Sequence, residues 1–340
     1  MTPIKIAQIG TKHDHAPAAF KSITHLTDIF EVVGFASENP DPDAKFGAAY
    51  EGYPRMTVEE ILAIPDLDAV VIESSELNLT KYALMAAERG LAIQMDKPGG
   101  IELADFEKLI ATVKEKKLVF HTGYMYRYNP AVIKALEMVK NGEIGEICSV
   151  EAQMNCYHKA PKRQWLNQFP GGMMFFLGCH LVDLILQFQG IPEQIIPFNT
   201  CSGFDGVTAD DIGMAVFKYK NGISFAKTSA TEGCGFLRRQ LVISGSKGTI
   251  EINPIEWYYD LNKPFDNHKA TMRISTDKTV GGKGIASWNT IAEWENTDPF
   301  DRYDNMMKAF AAMVRGEKTN PWSYDYELTL YKHVLAACGK

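Results

Sequence analysis

The sequence contains no run of about 18 apolar residues, no basic block, no Cys-x-x-Cys pair and no internal repeat. Each absence excludes something. Without the apolar run there is no expected membrane span. Without a basic block, and at a net charge of −7, no nucleic-acid partner is expected, since neutralising phosphates takes several Lys or Arg together. The opening "MTPIKIAQIG" lacks a charged segment ahead of a long apolar one. It does not read as an export signal, and a cytoplasmic location is expected. The six cysteines, Cys148, Cys156, Cys179, Cys201, Cys234 and Cys338, each sit in or beside an apolar segment. They read as reduced thiols packed as small hydrophobes. No Cys/His set has ligand spacing, so no metal is expected.

What is present is ordinary for a globular protein, with 46% hydrophobic and 23% charged residues. At 340 residues the chain is long for one core and predicts two domains. The first third alternates short branched-apolar runs, "IKIAQI", "EVVGFA", "AVVI", "AIQM" and "LVFH", with helical patterns such as "TKYALMAAERG" and "LADFEKLIATVKEKK". Strands that are apolar throughout and separated by helices predict a doubly wound parallel sheet. After about Gly123 the texture changes to one helix, "NPAVIKALEMVKNGE", and then strands with fewer helices between them. Hairpin signals such as Lys220–Asn221–Gly222 separate some of these. The fold class is therefore α/β, with a doubly wound parallel sheet over residues 1–123. An α+β domain with a large, mainly antiparallel sheet follows over 124–340.

Three turns of the first domain carry candidate chemistry. In "IGTKHDHA", Gly10 fits the first position of a dinucleotide Gly-x-Gly-x-x-Gly turn, whose backbone N–H groups face a pyrophosphate. Lys12 and His15 stand where the other two glycines belong. Lys12 either contacts a phosphate as a point charge or hinders its approach. His13, Asp14 and His15 read as a surface loop beside the nucleotide rather than a metal cluster. In "FASENP", Glu38 beside Ser37 is placed to accept ribose hydroxyls. With no arginine following, this favours NAD and leaves NADP open, while the same residues read equally as a polar turn. In "QMDKPGG", Lys97 follows a strand at the edge of the sheet where ligands of such folds bind.

In the second domain, "GGMMFFLGCHLVDL" places His180 and Asp183 on an otherwise apolar helix. They are either satisfied polar groups in a packed helix or an acid–base group beside a pocket.

Taken with "GYMYRYNP" and "GEIGEI", these motifs occur in an order that resembles the Gfo/Idh/MocA family, the glucose-fructose oxidoreductase and inositol dehydrogenase group. The resemblance covers the whole chain and implies a Rossmann-type first domain and a substrate-binding, oligomerising second one. Asp96-Lys97-Pro98 is similar to the family's Glu-Lys-Pro motif, which implies that Lys97 lies near nicotinamide and substrate hydroxyl. His180 and Asp183 match the family's second motif, whose Asp, four residues before the His, is Phe176 here. The family's Thr-Pro-Asn and His pattern is replaced by "ESSELNL".

The implied cofactor contacts are Gly10, Thr11, Lys12, His13, Ser37, Glu38, Ser74, Ser75, Glu76, Lys97 and Pro98. Lys97 and His180 are the implied catalytic pair, close together and facing the nicotinamide. Tyr126, Arg127 and Phe176 are further candidate substrate contacts, with Arg127 equally open to pairing with an acidic residue. The expected activity is NAD(P)-dependent hydride transfer on a sugar, polyol or related compound, in a homodimer or homotetramer. Relatives that retain NAD and cleave a glycoside by transient oxidation and elimination, or that bind without turnover, are the alternatives.

Overall fold

A computed structural model of the chain describes residues 2–38, 47–277, 286 and 292–340. The "SENPDPD" turn beyond Glu38 lies outside the described residues. The chain divides into two units, Met1–Met125 with Tyr303–Tyr331, and Tyr126–Arg302 with Lys332–Lys340. Among the described residues, no helix is long and apolar enough to cross a membrane.

The first unit is built on six parallel strands: β1 (Ile4–Ile9), β2 (Phe30–Ala36), β3 (Arg55–Met56), β4 (Ala69–Ile72), β5 (Ala92–Met95) and β6 (Phe120–Thr122). Their order is β3-β2-β1-β4-β5-β6, the Rossmann order, which puts β1 and β4 at the switch point. Every residue of "AVVI" in β4 is buried, as a strand covered on both faces requires. The crossovers run through α1 (Ala16–His25), α2 (Val58–Leu62), α3 (Leu79–Arg89) and α4 (Leu103–Glu115). Local chemistry sets several of their ends. Thr57 and Glu60 form a reciprocal capping box at the start of α2, and Gly90 ends α3 in the left-handed conformation.

Gly10 marks the tightest approach in this unit. It has φ +94°, and an added Cβ would sit 2.3 Å from the Ser74 backbone nitrogen. Only glycine lets the ends of β1 and β4 come this close.

The second unit carries an eight-stranded sheet and a two-stranded ribbon, β13 (Trp257–Tyr258) with β14 (His268–Lys269). The sheet strands are β7 (Ile147–Asn155), β8 (Gln194–Pro197), β9 (Ile212–Tyr219), β10 (Gly222–Ser229), β11 (Gln240–Gly245), β12 (Gly248–Ile252), β15 (Thr271–Thr276) and β16 (Trp294–Asn296). They lie in the order β16-β15-β12-β11-β7-β10-β9-β8. Among the described residues of this sheet, only the β7–β10 pair is parallel. Tyr219 faces Gly222 across the expected two-residue turn at Lys220–Asn221. The helices are α5 (Pro130–Lys140), capped by the Asn129 side chain, α6 (Ala160–Trp165) and α7 (Cys179–Gln189). α7 packs on β7 and β10, as expected of the apolar "GGMMFFLGCHLVDL" segment.

A buried polar network ties the two ends of the main stretch of this unit. The Tyr126 hydroxyl donates to Glu256, and Arg239 Nη1 donates to both, at 2.9 Å and 3.0 Å. Arg302 closes the network through Nε, 2.9 Å from Glu256 Oε2, and through a second bond from Nη2. Burial opposes ionisation of Glu256, but Arg302 and Arg239 outweigh it and hold the carboxyl down at about 2.

The chain then returns to the first unit through α8 (Asp304–Val314) and most of α9 (Tyr324–Ala337). This corrects the placing of all residues beyond 123 in the second domain. The reason is long-range burial, which sequence order does not reveal. Met306, Met307 and Phe310 of α8 are buried, and Ser22 Oγ donates to Asp304 at 2.7 Å. Tyr331 packs its ring 4.4 Å from that of Phe106 and donates its hydroxyl to Gly100 O at 3.1 Å.

Two outcomes are expected. Gly10→Ala combines backbone strain with overlap on Ser74 and should cost roughly 2–4 kcal/mol. Gly90→Ala, where an added Cβ meets nothing within 4 Å, should cost only about 1 kcal/mol of strain. Denaturant unfolding of both variants gives the comparison, and equal costs would refute the close-approach account.

The second concerns acid. A carboxyl depressed from 4.5 to about 2 contributes stability that is complete above 4.5 and lost as pH falls through 2. That contribution is worth roughly 3 kcal/mol. Glu256→Gln should lower stability near neutral pH by about 3–5 kcal/mol, because two guanidinium groups lose their partner. It should also flatten the acid dependence over that window. Parallel stability–pH curves for wild type and variant would refute the assignment.

Candidate active site

In the first unit the turn after β1 folds over the ends of β4 and β5. The Gly10 N–H bonds Ala36 O at 2.8 Å, and the His13 N–H bonds Glu73 O at 3.1 Å. This turn is not the surface loop its polar residues suggest. Lys12 and Asp14 are exposed, but His13 is 2% exposed and His15 is only partly open. Both imidazoles turn inward to Asp96, with His13 Nδ1 at 3.0 Å and His15 Nδ1 at 2.9 Å from Asp96 Oδ2. The other oxygen, Oδ1, accepts the Lys97 backbone N–H at 2.6 Å. Glu73 and Glu76 are also buried here, beside His13, and the ring of Tyr303 lies 5.7 Å from that of His15.

The charges in this cluster follow from its burial. Burial works against the charge of Asp96, but the two imidazoles outweigh it and hold the carboxyl well below the usual range. Burial, then the neighbouring Asp96, pushes Glu73 well above its usual value. Burial lowers His15 to about 4, so its ring is neutral near pH 7 and donates Nδ1–H to Asp96. Lys97 is 2% exposed, which for an ammonium group requires the polar company found here. Pro98 follows it, also buried, across a cis peptide.

The residues expected at the ribose end also come together. Ser37 Oγ lies 3.3 Å from Thr11 Oγ1. Glu38 accepts from the Ser75 N–H at 2.9 Å, the Ser75 hydroxyl at 3.2 Å and Asn78 Nδ2 at 3.1 Å. Ser74 is buried against Gly10. A cavity of about 520 Å³ opens beside Ser37 and Glu38, and Arg55, Thr57, Lys81 and Tyr82 also line it. Sequence reasoning missed Arg55. It lies on a two-residue strand whose pairing, Phe35 with Arg55, brings a guanidinium to the end of β2. The only signal was an isolated basic residue ahead of the Thr57 capping box.

In the second unit, Gly172 at φ +47° introduces the segment that carries His180, and an added Cβ there would meet Asp210 O at 2.2 Å. Met174–Gly178 is a π-helical turn that runs into α7, a local widening often found at functional sites. His180 is 1% exposed, with its ring edge-on to Tyr126 at 5.1 Å. Asp183 takes Arg127 through Nε at 3.0 Å and Nη2 at 2.8 Å, and Gln187 Nε2 at 2.8 Å. The acidic pairing left open for Arg127 is thus present. Phe176 lies edge-on to Trp165 at 5.3 Å, with Lys162 Nζ 4.8 Å from its ring centre. Tyr126, Arg127, Phe176 and His180 share this unit, whereas Lys97 belongs to the other.

Comparison with known proteins identifies both domains. Residues 4–124 match the oxidoreductase family with an NAD-binding Rossmann fold, and residues 132–251 match the GFO/IDH/MocA C-terminal domain. An uncharacterized oxidoreductase, ORF334 of Rhizobium meliloti, is 26% identical over 308 residues, 89% of this chain and 86% of the relative. D-xylose 1-dehydrogenase (NADP(+)) 2 of Haloferax volcanii is 22% identical over 77% of this chain and 74% of its own. Of several other curated oxidoreductases the chain spans little more than half the length. The crystal structure of aldose-aldose oxidoreductase from Caulobacter crescentus superposes with a TM-score of 0.79 at 18% identity, covering 99% of this chain and 96% of that one. At that identity the likeness speaks for the fold alone. With both domain matches in chain order on a Rossmann sheet followed by a mixed one, this chain is a member of the Gfo/Idh/MocA family of NAD(P)-binding oxidoreductases.

Proposed function

We propose that the protein transfers a hydride between a nicotinamide dinucleotide and a hydroxyl-bearing carbon of a sugar or polyol. The observation that carries this reading is Lys97. It is an ammonium group buried to 2% exposure at the carboxyl end of β5, held there through the bond from its own N–H to Asp96. The sugar class is supported by a relative named as a D-xylose 1-dehydrogenase.

The residues present fit a dinucleotide. Gly10 lets the ends of β1 and β4 close up at the switch point, where a Cβ would overlap Ser74, and the cavity beside Ser37 and Glu38 adjoins the end of β2. Glu38 retains lone pairs for ribose hydroxyls, while Arg55 and Lys81 in the same cavity offer positive charge to a 2′-phosphate. The proposal therefore covers both NAD and NADP.

Bound there, the nicotinamide supplies the hydride acceptor or donor. Lys97 donates a hydrogen bond to the substrate oxygen and stabilises the negative charge that grows on it. His180 takes the hydroxyl proton in oxidation and returns it in reduction. Tyr126 constrains the His180 ring by its edge contact, and its own hydroxyl is held by Glu256 and Arg239.

The test is a panel of aldoses and polyols with NAD⁺ and NADP⁺, followed by nicotinamide absorbance. On a substrate so found, Lys97→Ala and His180→Ala should each lower kcat by about 10²- to 10⁴-fold. Nucleotide affinity, measured by calorimetric titration, should change by no more than a few-fold. Full turnover in His180→Ala, with only a lowered melting temperature, would remove His180 from the chemistry.

A further inference from the structure

We infer that His13, His15 and Asp96 form a binding site for a divalent first-row transition-metal ion of the zinc class, with Glu73 and Glu76 as adjoining carboxylates. The ligand-capable atoms of the first three residues all lie within 4.8 Å of one another. Two imidazole nitrogens and a carboxylate oxygen form a donor set suited to Zn²⁺, Co²⁺ or Fe²⁺. It is poorly suited to Ca²⁺ or Mg²⁺, which prefer oxygen throughout.

The cluster is more than a patch of acid. His13 Nε2, Glu73 Oε2 and Glu76 Oε1 are buried with no hydrogen-bond partner, and all three point into it. Glu76 Oε1 stands 3.5 Å from His13 Nε2, and Glu73 Oε2 stands 3.7 Å from His13 Nδ1. Unmet buried polar atoms are costly, and three of them around one imidazole indicate a site shaped for something else.

The hydrogen bonds of His13 are contradictory as well. Its Nδ1 must carry a proton to serve Asp96 Oδ2 at 3.0 Å, yet it stands 3.2 Å from the His15 N–H as that donor's acceptor. A single neutral imidazole nitrogen cannot be donor and acceptor at once. If the proton sits on Nε2 instead, two acceptors face each other across that 3.0 Å gap. A cation held between Nδ1 of that Nε2–H tautomer and the carboxylate turns the repulsion of two acceptors into a shared coordination.

The inference stands apart from the proposed turnover, because it needs no substrate.

The full-length protein, stripped with EDTA and desalted, should take up one equivalent of Zn²⁺ in equilibrium dialysis read by elemental analysis. Co²⁺ used as a probe should show visible d–d absorption. His13→Ala and His15→Ala should each weaken Zn²⁺ binding by more than about 100-fold, since even outer partners of a metal site are worth 10–100-fold. His25→Ala, on α1 and paired instead with Asp304, should leave uptake unchanged. No stoichiometric uptake of either ion by the wild-type chain would overturn the inference, whatever the variants do. So would uptake that persists at full affinity in His13→Ala or His15→Ala proteins whose circular dichroism is native.

Discussion

Asp96 is a carboxylate buried at the carboxyl end of β5, and a charge in that position survives only if its oxygens are saturated by donors. One oxygen takes the N–H of Lys97, and the other faces both imidazoles of the turn after β1. In the sheet, β1 and β5 are not neighbours, because β4 lies between them. The carboxylate therefore bridges across a strand and joins the turn that follows Gly10 to the backbone that carries Lys97. The inward histidines and the backbone of the buried lysine meet on that bridge, and without Asp96 the Lys97 N–H and both imidazoles lose a partner.

The second unit solves a similar problem with a different pairing. Asp183 sits on an apolar helix, and its charge is met by a guanidinium fork from Arg127 and by Gln187 one turn further along. His180, one turn before Asp183 on the same helix, packs against the Tyr126 ring. Tyr126 and Arg127 are adjacent in sequence, so one short segment braces both polar residues of α7. The aspartate of this apolar helix is thus accounted for by its partners, and the His180 ring by its packing on Tyr126.

Much of the fold was legible because parallel strands buried on both faces announce themselves as continuous apolar runs. "AVVI" and "IKIAQI" are found as β4 and β1, and the hairpin at Lys220–Asn221 follows its turn residues. Short or peripheral strands, such as Arg55–Met56 and Trp294–Asn296, have too few residues to show a period. The candidate site divides along the same line. Lys97, Ser37, Glu38 and His180 stood at recognisable positions of motifs. Asp96 as a hub, Glu73 and Arg55 owe their importance to partners distant in sequence, and local pattern cannot supply those. His13 was misjudged because a His-Asp-His triplet is polar on paper, although alternate residues of the turn face opposite ways.

The return of residues 303–331 to the first unit has a consequence for synthesis on the ribosome. When Thr122 completes the six-stranded sheet, the segment that covers Phe106, caps Leu118 and Phe120 and bonds Ser22 does not yet exist. About 210 further residues must be translated before it is complete, which at 5–20 residues per second takes roughly 10–40 s. Throughout that interval the nascent Rossmann unit carries uncovered apolar surface. Its completion waits on residues translated long after its own six strands.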